Sequence, residues 1–168
     1  MSEFTKSSAQ FSPCKLYRYT LERWWSPFAV GKYVNFVMLN PSTADATRLD
    51  PTVNRCVGFA QRWGYGGLIV TNIFALRSTD PKRLKKVDDP IGPDNDEAIV
   101  TAASRAALVI CAWGNWGRLP THGPYLSRSR EVIERLSDIE LFCLGQTKAG
   151  FPKHPLYVRA DKEIEGFV

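Results

Sequence analysis

The stretch VNFVMLNPST, residues 34–43, decides the fold. Residues 34–39 form a short apolar run with β-branched and aromatic members, the pattern of a strand buried on both faces. It stops at Asn40-Pro41-Ser42, a cluster of turn formers. The same pattern recurs along the chain. GLIV (67–70) runs into Thr71-Asn72-Ile73-Phe74, ALVICAW (107–113) into Gly114-Asn115, and IELFCL (139–144) into Gly145-Gln146-Thr147 and then Lys153-His154-Pro155. Helix signals lie between these runs. Asp50 is placed to N-cap, Pro51 sits at the first helical position, and Val53, Val57, Phe59, Ala60 and Trp63 make an apolar stripe that ends at Gly64. Residues 94–105 and 122–137 read as further helices, and Asp80-Pro81 as the start of a short one.

Buried strands alternating with helices predict a parallel sheet. The expected fold is α/β: a single three-layer domain over residues 14–168, with a four-stranded parallel sheet in the order 2-1-3-4 flanked by helices. Residues 16–25 alternate as an N-terminal antiparallel addition. Residues 1–13 are polar and expected to be a flexible N-terminus.

Composition narrows the class. With 168 residues, 44% of them hydrophobic and 23% charged, the chain has the makeup of one globular domain with a proper core, not of a disordered segment. No apolar stretch approaches the roughly 20 residues of a membrane helix. The segment MSEFTKSSAQ has no apolar h-region. A soluble cytoplasmic protein is expected, with no membrane partner and the monomer as the favoured state. Cys14, Cys56, Cys111 and Cys143 form no C-x-x-C pair, and Cys111 and Cys143 lie in apolar runs, where free Cys behaves as a small buried hydrophobe. No metal site and no disulfide framework is expected. Neither G-x-x-x-x-G-K-[ST] nor a G-x-G-x-x-G after a strand is present, which argues against ATPase and dinucleotide chemistry. No cofactor is expected. The net charge of +5 and pI of about 9.1 permit a polyanionic partner. Basic residues recur at 82–86, 118–130 and 148–153, close to the loops that follow the strands. DNA or a nucleotide is the expected partner.

Ligands of open parallel sheets bind outside the carboxyl ends of the strands. That rule gathers Asn40, Asn72, Asn115 and His154 on one rim. Asn40-Pro41-Ser42 reads as a turn or as a side-chain amide held at a strand end. Asn72 interrupts an apolar run, where Asn is disfavoured; it either staples a neighbouring loop or reads a ligand, since an amide matches a nucleobase edge. His154 lies in a loop, where it can donate a hydrogen bond or carry a proton. His122 reads as a cap or surface residue. Asp50 and Asp94 read as N-caps, whereas Asp45 has no capping role and is the candidate carboxylate. Arg55 and Arg77 are candidate anion contacts, and Trp113 joins Asn115 at the end of the third strand.

In order, Asn-Pro-Ser, then Thr-Asn-Ile-Phe-Ala-Leu-Arg, then a strand ending in Trp-Gly, then His-Pro-Leu-Tyr resemble motifs of the uracil-DNA glycosylase superfamily. Asn40-Pro41 is similar to the Asn-Pro pair of its first motif. Pro51 and Asn54-Arg55 resemble a P-x-N-R stretch, Asn72 the strand-end Asn that reads a pyrimidine, and His154-Pro155 the opening of the second catalytic motif. The chain departs from that pattern where Leu39 and Ser42 replace glycines and Leu156 replaces a serine. Across residues 16–158, MLNPSTAD, NIFALR, GPDND, AWG and HPLYV resemble the bacterial and phage family called domain of unknown function 1643. The glycosylase resemblance implies hydrolysis of an N-glycosidic bond in a DNA base or modified nucleotide. Asn40, His154 and Asp45 would be its catalytic residues, with Asp50 the alternative to Asp45 as reserve carboxylate. Pro41, Ser42, Asn54, Arg55, Asn72, Arg77, Trp113 and Asn115 would contact substrate. The alternatives are a non-catalytic nucleic-acid or nucleotide-binding module, and a small-molecule hydrolase or transferase on the same fold.

Overall fold

The computed structural model describes residues 4–27, 32–120 and 127–168. Along the chain run β1 (Lys6–Phe11), β2 (Arg18–Trp24), β3 (Val34–Met38), α1 (Pro51–Arg62), β4 (Gly67–Asn72), α2 (Asn95–Arg105), β5 (Leu108–Cys111), α3 (Arg128–Arg135), β6 (Leu141–Cys143) and β7 (Glu165–Gly166). Short 3-10 segments lie at Pro81–Lys85, Gly114–Arg118 and Pro155–Tyr157.

The apolar runs sit side by side and in parallel as β4-β3-β5-β6. The sheet does not end there, however. Where four parallel strands were expected, it has seven in the order β1-β2-β4-β3-β5-β6-β7. The additions are antiparallel: β2 on β4, β1 on β2, and β7 on β6. They cover the edges of the parallel core, whose N–H and C=O groups would otherwise be left without partners. Residues 6–11 are therefore a strand and not a frayed end. Their sequence, KSSAQF, lacks the apolar alternation that announces a strand, because β1 is an edge strand and largely exposed. β7 is two residues long and carries no periodic signal.

Local chemistry sets the helix ends. Asp50 Oδ1 accepts from Val53 N at 2.8 Å, Pro51 opens α1, and Gly64 beyond it adopts φ +82°. Asp80 accepts from Lys82 N in the same way. The third helix is shorter than expected. It starts after Ser127, whose hydroxyl accepts from Arg130 N; His122 and the rest of residues 121–126 lie outside the described residues, as does Gly31.

The core is divided by the sheet. On one face Val53, Cys56, Val57, Phe59 and Ala60 of α1 pack on Val34, Phe36, Met38, Leu68, Val70 and Ile110. On the other, Ile99 and Ala103 of α2 and Val132 of α3 pack on Val37, Val109, Cys111, Leu141 and Cys143. The alternation of Phe36 and Val37 between faces is the period-two pattern of a strand covered on both sides. Cys111 and Cys143 are register partners in adjacent strands, both buried and free. Burial pushes the Cys111 thiol far up, with Cys143 adding to the effect.

Arg128, at the start of α3, is fully buried. Its Nε donates to Ile73 O at 2.7 Å and its Nη2 to Asp96 Oδ1 at 2.5 Å. Its Nη1 also pairs with Glu131 at 3.1 Å. One side chain thus ties α3 to α2 and to the chain leaving β4.

Candidate functional site

The four parallel strands end at one edge, and the loops beyond them enclose a cavity of about 660 Å³. Asn40, Ser42, Asn72, Trp113, Asn115 and His154 line it, although they come from four separate loops. So does Asp50, from the start of α1.

Asn40 lies in the loop after β3, and its amide serves backbone carbonyls of that loop and of the loop after β4. Its Nδ2 donates to Ser78 O at 2.9 Å and to Pro41 O at 3.1 Å, while Ser78 N donates to Pro41 O at 2.8 Å. These bonds join the first loop to the one after β4. They leave Oδ1 as the Asn40 atom that has no described partner. Pro41 is buried and contributes its carbonyl to this join, not a surface to the cavity.

Asn72 ends β4 and is 2% exposed. Loop stapling here belongs to another residue: the buried Asn95 donates from Nδ2 to Asn72 O at 2.8 Å and to Ile73 O at 3.3 Å. The Asn72 side chain is therefore available to the cavity. Its Oδ1 accepts from Arg18 Nη2 at 3.5 Å, which orients the amide and leaves the NH₂ as a donor.

His154 caps the 3-10 segment Pro155–Tyr157. Its Nδ1 accepts from Leu156 N at 3.3 Å, which assigns the proton of the neutral ring to Nε2. Burial lowers its pKa from the ordinary histidine value, with Asp50 opposing the shift. A neutral ring at pH 7 then presents an N–H donor. Because the native state disfavours the charged ring, the unfolded chain binds the extra proton first. Stability is lost as pH falls through the unfolded value of about 6.5 and levels off below the native one. An NMR titration of the imidazole resonances should give a midpoint below about 6.5 and an Nε2–H tautomer; a midpoint above that value would overturn this assignment.

Trp113 is 1% exposed and sits edge-on to Phe167, with ring centroids 5.9 Å apart. Gly117 makes this possible. A Cβ at Gly117 would fall 2.4 Å from Trp113 Cδ1 and 2.6 Å from its Nε1. Gly117→Ala should therefore move the indole and cost about 1–3 kcal/mol in a denaturant melt; an unchanged midpoint would show that the ring can yield. Asn115 Oδ1 accepts from Thr147 Oγ1 at 2.7 Å, which joins the loops after β5 and β6.

Other expected site residues lie elsewhere. Asp45 does not line the cavity. Its Oδ1 accepts from Thr47 N, Thr47 Oγ1 and Arg48 N in an exposed turn. The backbone N–H of Thr47, then that of Arg48, holds its carboxyl below the usual range. Asn54 is exposed on α1, away from the cavity. Arg55 donates to Val158 O at 2.5 Å and lies over the Phe59 ring, anchoring the C-terminal segment. Arg77 donates to Lys15 O at 3.0 Å and covers Phe11. Arginines in loops near a rim look like ligand contacts in a sequence. Here they serve as ties between distant segments.

The cavity also has residues that the sequence did not single out as contacts: Arg18, Trp116 and Tyr157, with Thr147 and Lys153 from the loop already placed at the rim. Lys153 adjoins the His-Pro pair and was legible from it. Arg18 was not, because an arginine in an alternating strand reads as solvent-facing. Among the described residues, no group of three or more His, Cys, Asp or Glu comes together as a metal-ligand set.

A family model described as Protein of unknown function (DUF1643) matches residues 18–156. The chain belongs to this family. The matched span contains every cavity-lining residue except Tyr157. No curated protein and no solved structure matches the chain.

Proposed function

We propose that this DUF1643 protein takes a nucleobase into the rim cavity and hydrolyses the N-glycosidic bond of a DNA base or modified nucleotide. One observation carries the proposal: the neutral Nε2–H of His154 and the oriented NH₂ of Asn72 serve the same cavity as the Asp50 carboxylate. Donors of this kind suit the carbonyl edge of a heterocycle. In the proposed mechanism the flipped base enters from the rim. Asn72 reads its edge. His154 donates to a base carbonyl and stabilises the charge that develops as the base leaves. Of the two candidate carboxylates, Asp45 and Asp50, the role falls to Asp50, which is on the cavity wall; its Oδ1 is committed to Val53 N, leaving Oδ2 to face water or the developing sugar cation. Asn40 Oδ1 would orient that water.

A second reading has an observation of its own. Asn40 Nδ2 and the Asp45 carboxylate are both committed to backbone groups of the surrounding loops, as in a module that binds nucleotides without chemistry. The test is incubation with single- and double-stranded oligonucleotides carrying a panel of modified bases, followed by detection of abasic sites. Product from any member supports hydrolysis. Salt-dependent DNA binding without product favours the binding module. Absence of both would leave a small-molecule hydrolase or transferase.

A further inference from the structure

The cavity wall has a charge that its surroundings do not balance. Arg18 is 2% exposed and lines the cavity. A guanidinium has five N–H donors. Those of Arg18 reach Ala44 O at 2.7 Å and Asn72 Oδ1 at a long 3.5 Å, both neutral acceptors. Its Nε is buried with no hydrogen-bond partner, and no carboxylate of the described residues forms a salt bridge with it.

The other fully buried arginines are treated differently. Arg128 is paired with Asp96 and Glu131. Arg23 gives its donors to the carbonyls of Glu22, Asp45 and Arg48 and does not line the cavity. Only Arg18 of the three combines burial, missing acceptors and access to the cavity. A buried cation without a hydrogen-bonded anion is costly to keep. Burial pulls its pKa down to about 10, so it remains charged at neutral pH. Asp50 acts on it only through space. Arg18 and Lys153 against Asp50, with His154 neutral, leave the lining one positive charge in excess.

We propose that the inner wall of the cavity is an oxyanion subsite, in which Arg18 receives a carboxylate or phosphate carried by the ligand. The planar fork of Arg matches either group through paired N–H donors. The heterocyclic part of the ligand rests on the function proposed above, whereas the charge rests on Arg18. The favoured ligand is accordingly an acidic base or a nucleotide, in preference to a neutral base.

Calorimetric titration tests this with four probes: uracil, orotate, uridine monophosphate and inorganic phosphate. Wild-type protein should bind orotate or uridine monophosphate at least about tenfold more tightly than uracil, the scale of a charge-assisted hydrogen bond. A preference for orotate marks the carboxylate as the source, and a preference for the monophosphate marks the phosphate ester. In Arg18→Met the preference should fall to within about twofold of unity. Arg18→Lys keeps the charge without the fork and should retain part of it. Equal binding of uracil, orotate and monophosphate to wild type overturns the subsite and leaves the nucleobase reading standing. This comparison does not depend on either variant folding. Arg18-dependent binding of phosphate alone, with no gain from the pyrimidine, supports the subsite while the nucleobase reading falls. An Arg18→Met protein that melts as wild type and keeps the full preference also overturns the subsite.

Discussion

Arg128→Ala should destabilise the protein by about 3–5 kcal/mol, the usual cost of removing one partner from a buried ion pair. For a domain of this size that is a fall in Tm on the order of 10 °C. The size of the effect follows from what remains. Asp96 and Glu131 would lose their buried partner, and Ile73 O would lose its donor. Arg135 still reaches both carboxylates, but from a half-exposed position. Arg128→Lys should recover only part of the loss, because a compact ammonium lacks the extended planar fork that spreads donors over a carbonyl and two carboxylates. Thermal melts of the two variants check this. A Tm within a degree or two of wild type for Arg128→Ala would mean that the network contributes nothing net. Ile73 directly follows Asn72, so the same variant should also blur any ligand preference that Asn72 sets.

His154→Ala should cut turnover on the best substrate by on the order of a hundredfold or more, since in the proposed mechanism its Nε2–H is the donor aimed at developing charge. Its effect on stability should be small, because the ring is half-buried in a loop and caps only a single 3-10 turn. Asn40→Ala is expected to behave differently. Its amide serves the carbonyls of Pro41 and Ser78, so truncation should cost about 1–3 kcal/mol besides any loss of rate. Paired melts and product assays separate the two cases. If His154→Ala retained full turnover, glycosidic chemistry at this site would have to be abandoned for a binding role.

The parallel core was legible because its four strands are buried on both faces and are apolar along most of their length. The rim was legible for the same reason: a polar residue such as Asn72 at the end of such a run is conspicuous. The sheet edges were not. β1 and β7 owe their strand conformation to the neighbours they pair with, and KSSAQF and Glu165-Gly166 carry no pattern of their own. Among site residues, Asn40 and Asn72 sit at strand ends and His154 in the loop beyond β6, and topology brings them together. Asp45 ranked above Asp50 in the sequence because Asp50 had a capping role, yet capping takes only one carboxylate oxygen and Asp50 also lines the cavity. Which one reaches the cavity depends on the path of residues 41–50, and no periodicity governs that path. Arg18 was hidden because its acceptors, Ala44 and Asn72, are 26 and 54 residues away.

The two buried arginines of β2 have a consequence for the order of assembly. Arg18 holds Ala44 O, and Arg23 holds the carbonyls of Asp45 and Arg48. The loop that delivers Asp50 is thus fastened by a strand that precedes it and joins the sheet only by pairing with β4. Local helix formation and the parallel pairing of β3 with β4 can proceed without β2, but the wall of the cavity cannot. The candidate rim is therefore completed only once β2 is in place. An amino-terminal truncation that removed β2 would leave the parallel core its strands and the loop bearing Asp50 without its anchors.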